Sequence, residues 1–546
     1  MKKTVLFSLL SILGLSAWAQ HFKPLPKVPV PVFRKDTLSI KSIGAKGDGY
    51  LLNTSIIQRA VDQLAKKGGG VVLVPAGLWL TGPIELKSNI NLHIAVGATL
   101  LFSNDFTQYK LVATDWEGLP QMRNQSPISA TNASNIAITG KGIVDGNGDA
   151  WRMVKKDKLT ASQWEKLVKS GGLLSEDKKT WYPNAGSLKG AAMKNPGAIS
   201  PEKSMADYEA VKDFLRPNMV VFTKCKNILL EGVIFQNSPA WCLHPLMSEN
   251  LTVRNITVKN PWYAQNGDGI DVESCKNVLI ENSVFDVGDD ALCMKSGRDA
   301  DGRKRAMPTE NVTIRGCVVY ASHGGFVIGS EMSGGARNMN ISNCTFIGSD
   351  IGLRFKTTRG RGGLVENINI ENIYMKDIPG DAILFDMYYM AKDPVPLTGE
   401  VRELPKVEFK PVDETTPVFR NFHIRNVYVN GAAKGVFIRG LPEMPIQNIT
   451  IENMVLQADK GIDIQEADGI VFNNVTIKAK HTTPVVDIIQ SKNIQFNGLT
   501  FDGNNQLMYR VAGDRSAAIQ VRKQAGNATQ QIVYELGAKP GTITIQ

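Results

Sequence analysis

One short phrase recurs ten times between residues 227 and 501, and few folds can accommodate it. Its anchors are Asn227, Asn250, Asn277, Asn311, Asn338, Asn367, Asn421, Asn448, Gly469 and Asn493, each opening a run like Asn-Ile-Leu-Leu-Glu-Gly-Val-Ile-Phe at 227–235. Most spacings fall between 21 and 34 residues; that from Asn367 to Asn421 is 54 and leaves room for a long loop or one degenerate repeat. The residues one and three places after the anchor are always apolar, the period of a strand with one buried face. Five places on stands Asn or Gly in every phrase, as at Gly232, Asn255 and Asn282. These are the residues that most readily take a left-handed backbone. Apolar residues return at places six and eight, with Ser283 the exception. Each repeat therefore predicts a strand, a one-residue corner and a second strand. A chain that turns so regularly, with no helical pattern between its strands, winds into a parallel β-helix with coils roughly 4.8 Å apart. A propeller blade would need about 40 residues and four strands, and a horseshoe would show a leucine-dominated consensus. Weaker phrases at Asn89 and Asn135 place the start of the coil well before residue 227.

The remaining segments organise around this solenoid. Lys2 and Lys3, the apolar run from Val5 to Leu15, and Ala17-Trp18-Ala19 read as a cleaved export signal over residues 1–19. The run is too short for a membrane anchor, which needs roughly 20 residues. Hydrophobic residues at 43% and charged residues at 21% exclude a disordered chain or a polytopic membrane protein. Loss of the two lysines reduces the net charge from +10 to +8. A basic exported protein, periplasmic or secreted, suits an acidic polymer better than nucleic acid or a membrane surface. Residues 20–34 are Pro-rich and extended, and 35–510 form the β-helix. Asn53 to Lys67 reads as a capped amphipathic helix, with Ile56, Ile57, Ala60, Val61 and Leu64 on the face that plugs the solenoid's open end. Residues 152–214 are a polar insertion. After Phe501 the pattern fades, and 511–546 are expected to close the other end. Cys225 and Cys275 flank the Asn250 coil, a gap of about 9.6 Å where a disulfide tolerates roughly 7 Å, so they are expected to be unbonded. Cys317 and Cys344 share one offset in consecutive coils and should stack as buried thiols.

Polar groups converge between Asn260 and Lys356. The stretch holds Asn266-Gly267-Asp268-Gly269-Ile270-Asp271, Gly288-Asp289-Asp290, Ser322-His323-Gly324-Gly325 and Arg354-Phe355-Lys356. Asp268, Asp289, His323 and Arg354 follow one another at 21, 34 and 31 residues, each about one coil, and so fall on one flank. Carboxylates held within a few ångströms cannot all ionise normally, so at least one keeps a proton near neutrality. A proton donor beside an ionised base is what glycosidic hydrolysis requires. His323, Arg354 and Lys356 suit a carboxylate on the substrate, which selects an acidic sugar. Asp289 and Asp290 would face opposite ways in a regular strand, so a bulge or corner is expected there.

In this order these motifs resemble the four signatures of glycoside hydrolase family 28, the polygalacturonases. Gly44-Ala45-Lys46-Gly47-Asp48-Gly49, Val74-Pro75-Ala76-Gly77, Asp145-Gly146-Asn147-Gly148 and Asn237-Ser238-Pro239-Ala240-Trp241 extend the likeness over most of the chain. The resemblance implies an all-β, right-handed parallel β-helix that hydrolyses α-1,4-galacturonosidic bonds of pectin by single displacement with inversion. It implies Asp289 as general acid, Asp268 and Asp290 as the pair activating water, His323 as support of the acid, and Arg354, Lys356 and Asn266 as substrate-binding residues. No metal and no cofactor are implied. Three departures stand out: Asp-Asp-Cys becomes Asp289-Asp290-Ala291, with Cys293 two places on; Gly267 replaces Thr; and Gly-His-Gly becomes Ser322-His323-Gly324. The run from Gly325 to Gly335 is similar to bacterial exo-acting members, and the 152–214 insertion or the 386–420 loop could wall off one end of the groove. Two alternatives remain open, a hydrolase of rhamnogalacturonan or another branched pectin, and a non-catalytic polysaccharide-binding solenoid.

Overall fold

Each phrase builds a coil of three strands. In the coil that begins near Asn227, Lys226–Glu231 runs to a corner at Gly232, Ile234–Gln236 follows, and Leu243–Leu246 completes the turn. The computed structural model describes residues 24–390, 408–481, 483–501, 508–522 and 531–546. The expected export signal, 1–19, lies outside them. Successive coils pair in parallel and in register. Leu230, Val253, Ile280, Ile314, Ile341 and Ile370 are consecutive partners, stacking one apolar column along the axis of a parallel β-helix. Inside the coils the buried apolar side chains form one continuous core from Ile40 to Ile543.

The corners are left-handed as the sequence predicts, with φ of 56° at Asn255, 50° at Asn282 and 79° at Gly232. The anchors are left-handed too, at 57° for Asn227 and 60° for Asn250, a second special position per coil that the apolar pattern alone does not reveal. Their side chains explain the choice of Asn over Gly. Asn250 Nδ2 donates to Asn227 Oδ1 at 2.9 Å, Asn277 to Asn250 at 3.1 Å and Asn311 to Asn277 at 3.0 Å. Each amide thus serves as donor on one side and acceptor on the other. A second ladder runs through the corner residues, where Asn372 donates to Asn343 and Asn426 to Asn372.

The coil does begin early, because Gly70–Val74, Ile90–Ile94, Ser134–Gly140 and Lys226–Glu231 pair in sequence. The 54-residue spacing holds no further coil between its neighbours, since Leu364–Asp386 pairs directly with Val418–Arg439; residues 391–407 of the 386–420 segment lie outside the described residues. The tail differs from expectation. Met508–Ala512, Ala517–Arg522, Gln531–Glu535 and Ile543–Ile545 continue the parallel stacking. Alternation persists there through Tyr509, Val511, Ile519 and Val521, all buried, although the corner asparagines have gone.

At the other end the helix Thr54–Lys66 packs Ile57, Ala60, Val61 and Leu64 into the core. Its expected cap is absent: Asn53 is fully buried, and its amide bonds Lys46, Leu51 and Leu80 in place of the helix. Cys225, Cys275, Cys317 and Cys344 are buried free thiols. Ser248 separates the first two, accepting from Cys225 N and donating its own N–H to Cys275 Sγ.

Among the described residues, the insertion and a hairpin form small sheets apart from the solenoid. The insertion folds on itself, with the short antiparallel strands Val154–Lys155, Thr180–Tyr182 and Leu173–Leu174 beside the helix Ala161–Lys169. Val154, Trp164 and Trp181 give it a small core of its own. Leu111–Trp116 and Leu119–Asn124 form a hairpin turned by left-handed Glu117 and Gly118. Asp115 of this hairpin holds Arg305 at 2.9 Å, and Arg305 holds the buried Glu273 at 2.7 Å.

Candidate active site

The turn between the second and third strands of three neighbouring coils carries the predicted groups. Asp268 precedes the strand Ile270–Glu273, Asp289 lies in a bend before Asp290–Lys295, and His323 precedes Gly324–Ile328. His323 N donates to Asp289 O at 3.0 Å, so these two stand on adjacent rungs as their equal offsets require. The expected break in strand geometry is that bend at Gly288 and Asp289. It lets neighbouring carboxylates converge: oxygens of Asp268, Asp289 and Asp290 all lie within 4.8 Å of one another.

Arg354 and Lys356 alternate outward on Leu353–Lys356, and both reach back to Asp290. Lys356 Nζ donates to Asp290 Oδ2 at 2.7 Å and Arg354 Nη1 to Oδ1 at 3.1 Å. Gly324 makes room for this. A Cβ there would lie 2.4 Å from Val327 Cγ2 and 3.2 Å from both Arg354 Cδ and Asp290 Oδ1.

The three carboxyls have different environments. Asp268 is buried, its Oδ1 has no hydrogen-bond partner, and its pKa is driven well above the usual carboxylate range by burial, then by Asp271 and Asp289. Burial would also raise Asp290, but Lys356, Arg354 and Lys295 more than offset it and hold its pKa far below that range. Asp289 is half-buried, accepting from Asn266 N at 3.3 Å and facing His323 Nδ1 at 3.3 Å. The hydrogen bond to Asp289 raises the His323 pKa against the opposing effect of burial, with further help from the charges of Asp289, Asp290 and Asp350. The cluster therefore holds one carboxyl biased toward its protonated form, one held firmly ionised, and one beside an imidazole whose own pKa is raised.

Other groups complete the site. Lys158, from the insertion, places Nζ 3.4 Å from His323 Nε2, so the insertion borders the catalytic flank. Arg216 is buried and donates to the Asn266 side chain at 2.9 Å and to the carbonyls of Pro239 and Gln265. Tyr389 sets its ring 4.8 Å from Lys356 Nζ and 5.6 Å from the Arg354 guanidinium. Lys295 bonds Glu331 at 2.8 Å and stands 4.7 Å over the Trp241 ring. None of these four was singled out from sequence. Lys158 lies in a segment without period, and the others look like ordinary strand or loop residues until the coils stack.

Comparison with known proteins agrees with this arrangement. The pattern of glycosyl hydrolases family 28 matches residues 202–426. An exopolygalacturonase structure from Thermotoga maritima is 33% identical, with a TM-score of 0.67, covering 82% of this chain and 93% of its own. An exo-poly-alpha-D-galacturonosidase from Dickeya chrysanthemi is 28% identical over 472 residues, 85% of this chain and 70% of the relative. A family 28 exopolygalacturonase from Yersinia enterocolitica, at 21% identity and a TM-score of 0.59, shares the fold. A parallel β-helix with three converging aspartates is the framework of a glycoside hydrolase. This chain belongs to glycosyl hydrolases family 28.

Proposed function

We propose that the protein removes galacturonate units from the end of α-1,4-linked polygalacturonate in pectin. The observation that carries the acidic substrate is the pair Arg354 and Lys356, a half-buried and a buried cation converging beside the carboxylate cluster and able to grip a sugar carboxylate. Support for action at a chain end comes from Lys158, which brings the folded insertion against His323 at one side of the cluster.

Asp289 protonates the leaving oxygen, and His323, carrying a proton next to it, resupplies the acid. Asp290 takes the proton from the attacking water, while Asp268 holds that water. In the free protein Asp290 is a weak base, because Lys356 and Arg354 stabilise its anion. A galacturonate carboxylate shares those cations and adds its own negative charge, which restores the basicity of Asp290. A neutral sugar does neither, so substrate selection and base activation are one event.

The nearest oxygens lie within 4.8 Å, below the roughly 6.5 to 9.5 Å between carboxyl groups in most inverting enzymes. Inversion rests on the family resemblance and is decided by the product. Defined oligogalacturonides followed by NMR are expected to release monomer of inverted configuration. Mid-length oligomers would refute exo action, a retained anomer would refute single displacement, and an unsaturated product would show a lyase. Residues 1–19 are proposed to export the chain to where pectin is found.

A further inference from the structure

A second flank of the solenoid carries a pattern that the catalytic groove does not use. On the strands that follow the corner asparagines, Tyr374, Tyr428, Val455 and Thr476 are consecutive partners facing outward. Tyr374 and Tyr428 are 50% and 44% exposed. Their rings stack at 5.5 Å between centroids, 11° from parallel. The stack stops at Tyr428 because the next coil carries only Val455. The smaller side chain leaves a groove of about 320 Å³ against the outer face of the Tyr428 ring, floored by Val455 and bordered by Asn430, Gln457 and Lys478. That volume falls within the range of small-ligand sites, roughly 300–1,000 Å³.

The neighbouring column decides what the groove suits. Two residues on from the tyrosine column stand Lys376, Asn430, Gln457 and Lys478, again consecutive partners. On the other side runs the amide ladder through Asn372, Asn426, Asn453 and Asn474. Over these four coils the first border presents lysines and amides and the second presents amides alone. Acids lie one step outside each column and are themselves paired: Glu371 by Arg425 and Glu452 by His423 next to the amide ladder, and Asp377 with Lys376 at 3.6 Å. An apolar ring face between two rows of donors matches a sugar ring bearing hydroxyls and a carboxylate. The Lys376 column continues through Ile347 to Tyr320, 43% exposed and three residues before His323, so this flank adjoins the catalytic turn.

We propose that the Tyr374–Tyr428 flank is a second, non-catalytic binding site for a segment of acidic polysaccharide, holding the polymer whose end lies in the catalytic groove. The choice of polymer rests on the function proposed above. The test uses the full chain carrying Asp289→Asn, run through native gels containing polygalacturonate or neutral galactan, with and without Tyr374→Ala plus Tyr428→Ala. In the otherwise unaltered chain, the same double substitution is assayed for cleavage of trigalacturonate. The expected result is retention by polygalacturonate about tenfold weaker, with kcat/KM on trigalacturonate unchanged. Replacing Lys376 and Lys478 by Ala should weaken retention by the acidic polymer alone. Unchanged retention in the tyrosine variant overturns the site, and so does an equal loss on neutral galactan. Failure of the parent chain to cleave trigalacturonate strikes the catalytic reading, while the gels still decide the binding flank.

Discussion

Replacing Lys356 by Met isolates the role of the cations around Asp290. The ammonium and the carboxylate are 2.7 Å apart, with side chains only 7% and 2% exposed, so the pair is shielded from water and salt. Breaking such a pair by removing one partner costs about 3–5 kcal/mol, because the remaining charge stays buried. Asp290 keeps Arg354, which places the expected loss at the lower end, about 3 kcal/mol. At 1.36 kcal/mol per unit, that raises the Asp290 pKa by about 2 units. The sign follows from the depressed native pKa. Pairing stabilises the fold above the unfolded carboxylate pKa, and this contribution is lost as pH falls through the native value. Lys356→Met should therefore unfold at lower urea than the wild type at pH 7, with the gap narrowing below about pH 4. The acid limb of kcat against pH on oligogalacturonides should move upward by about 2 units. Adding Asp290→Asn should recover part of the stability, since the uncompensated charge is then gone. A variant with an unmoved acid limb would refute Asp290 as the base held ionised by Lys356.

Three further outcomes follow from the same geometry. His323→Gln should lower stability at pH 5.5 and converge with the wild type at high pH, because a raised histidine pKa stabilises fully below its unfolded value and ceases to do so above its folded one; urea midpoints across pH measure this. Asn277→Ala, at φ 59° and with two ladder bonds, should cost about 1–3 kcal/mol in denaturant titration, more than Asn277→Gly, which keeps the backbone conformation. Replacing residues 153–214 by a short linker should open the groove beside His323, and polygalacturonate digests should shift from monomer toward mid-length oligomers.

The solenoid was legible because its constraint is local and repeated. Apolar parity and the Asn or Gly corner state the same geometry in every coil, and the stacked partners Asp289 and His323 could be aligned by offset alone. The left-handed anchors escaped because Asn there looked like a boundary marker. The hairpin at 111–124 escaped because it pairs outside the coil, although Glu117-Gly118 is a readable turn signal. At the site, sequence supplied the residue types but not their partners. Arg354 and Lys356 were expected to await a substrate carboxylate, whereas in the folded chain they already hold Asp290, a contact that Gly324, with no side chain of its own, leaves uncrowded. Lys158 could not be placed by any period, since its position depends on how a separately packed insertion leans on the solenoid.

The amide ladders have a consequence for how such a chain can change. Distances between catalytic groups are set by coil rise, while the connections between strands vary: 21 residues separate Asp268 from Asp289, and 34 separate Asp289 from His323. The longer connection accommodates the helix Asp299–Arg305 without displacing His323 from the rung beside Asp289. Loops on this scaffold can thus be lengthened, shortened or exchanged while the spacing of the reacting groups stays constant. Substrate reach and catalytic alignment are separate design variables, one written in the connections and the other in the rungs.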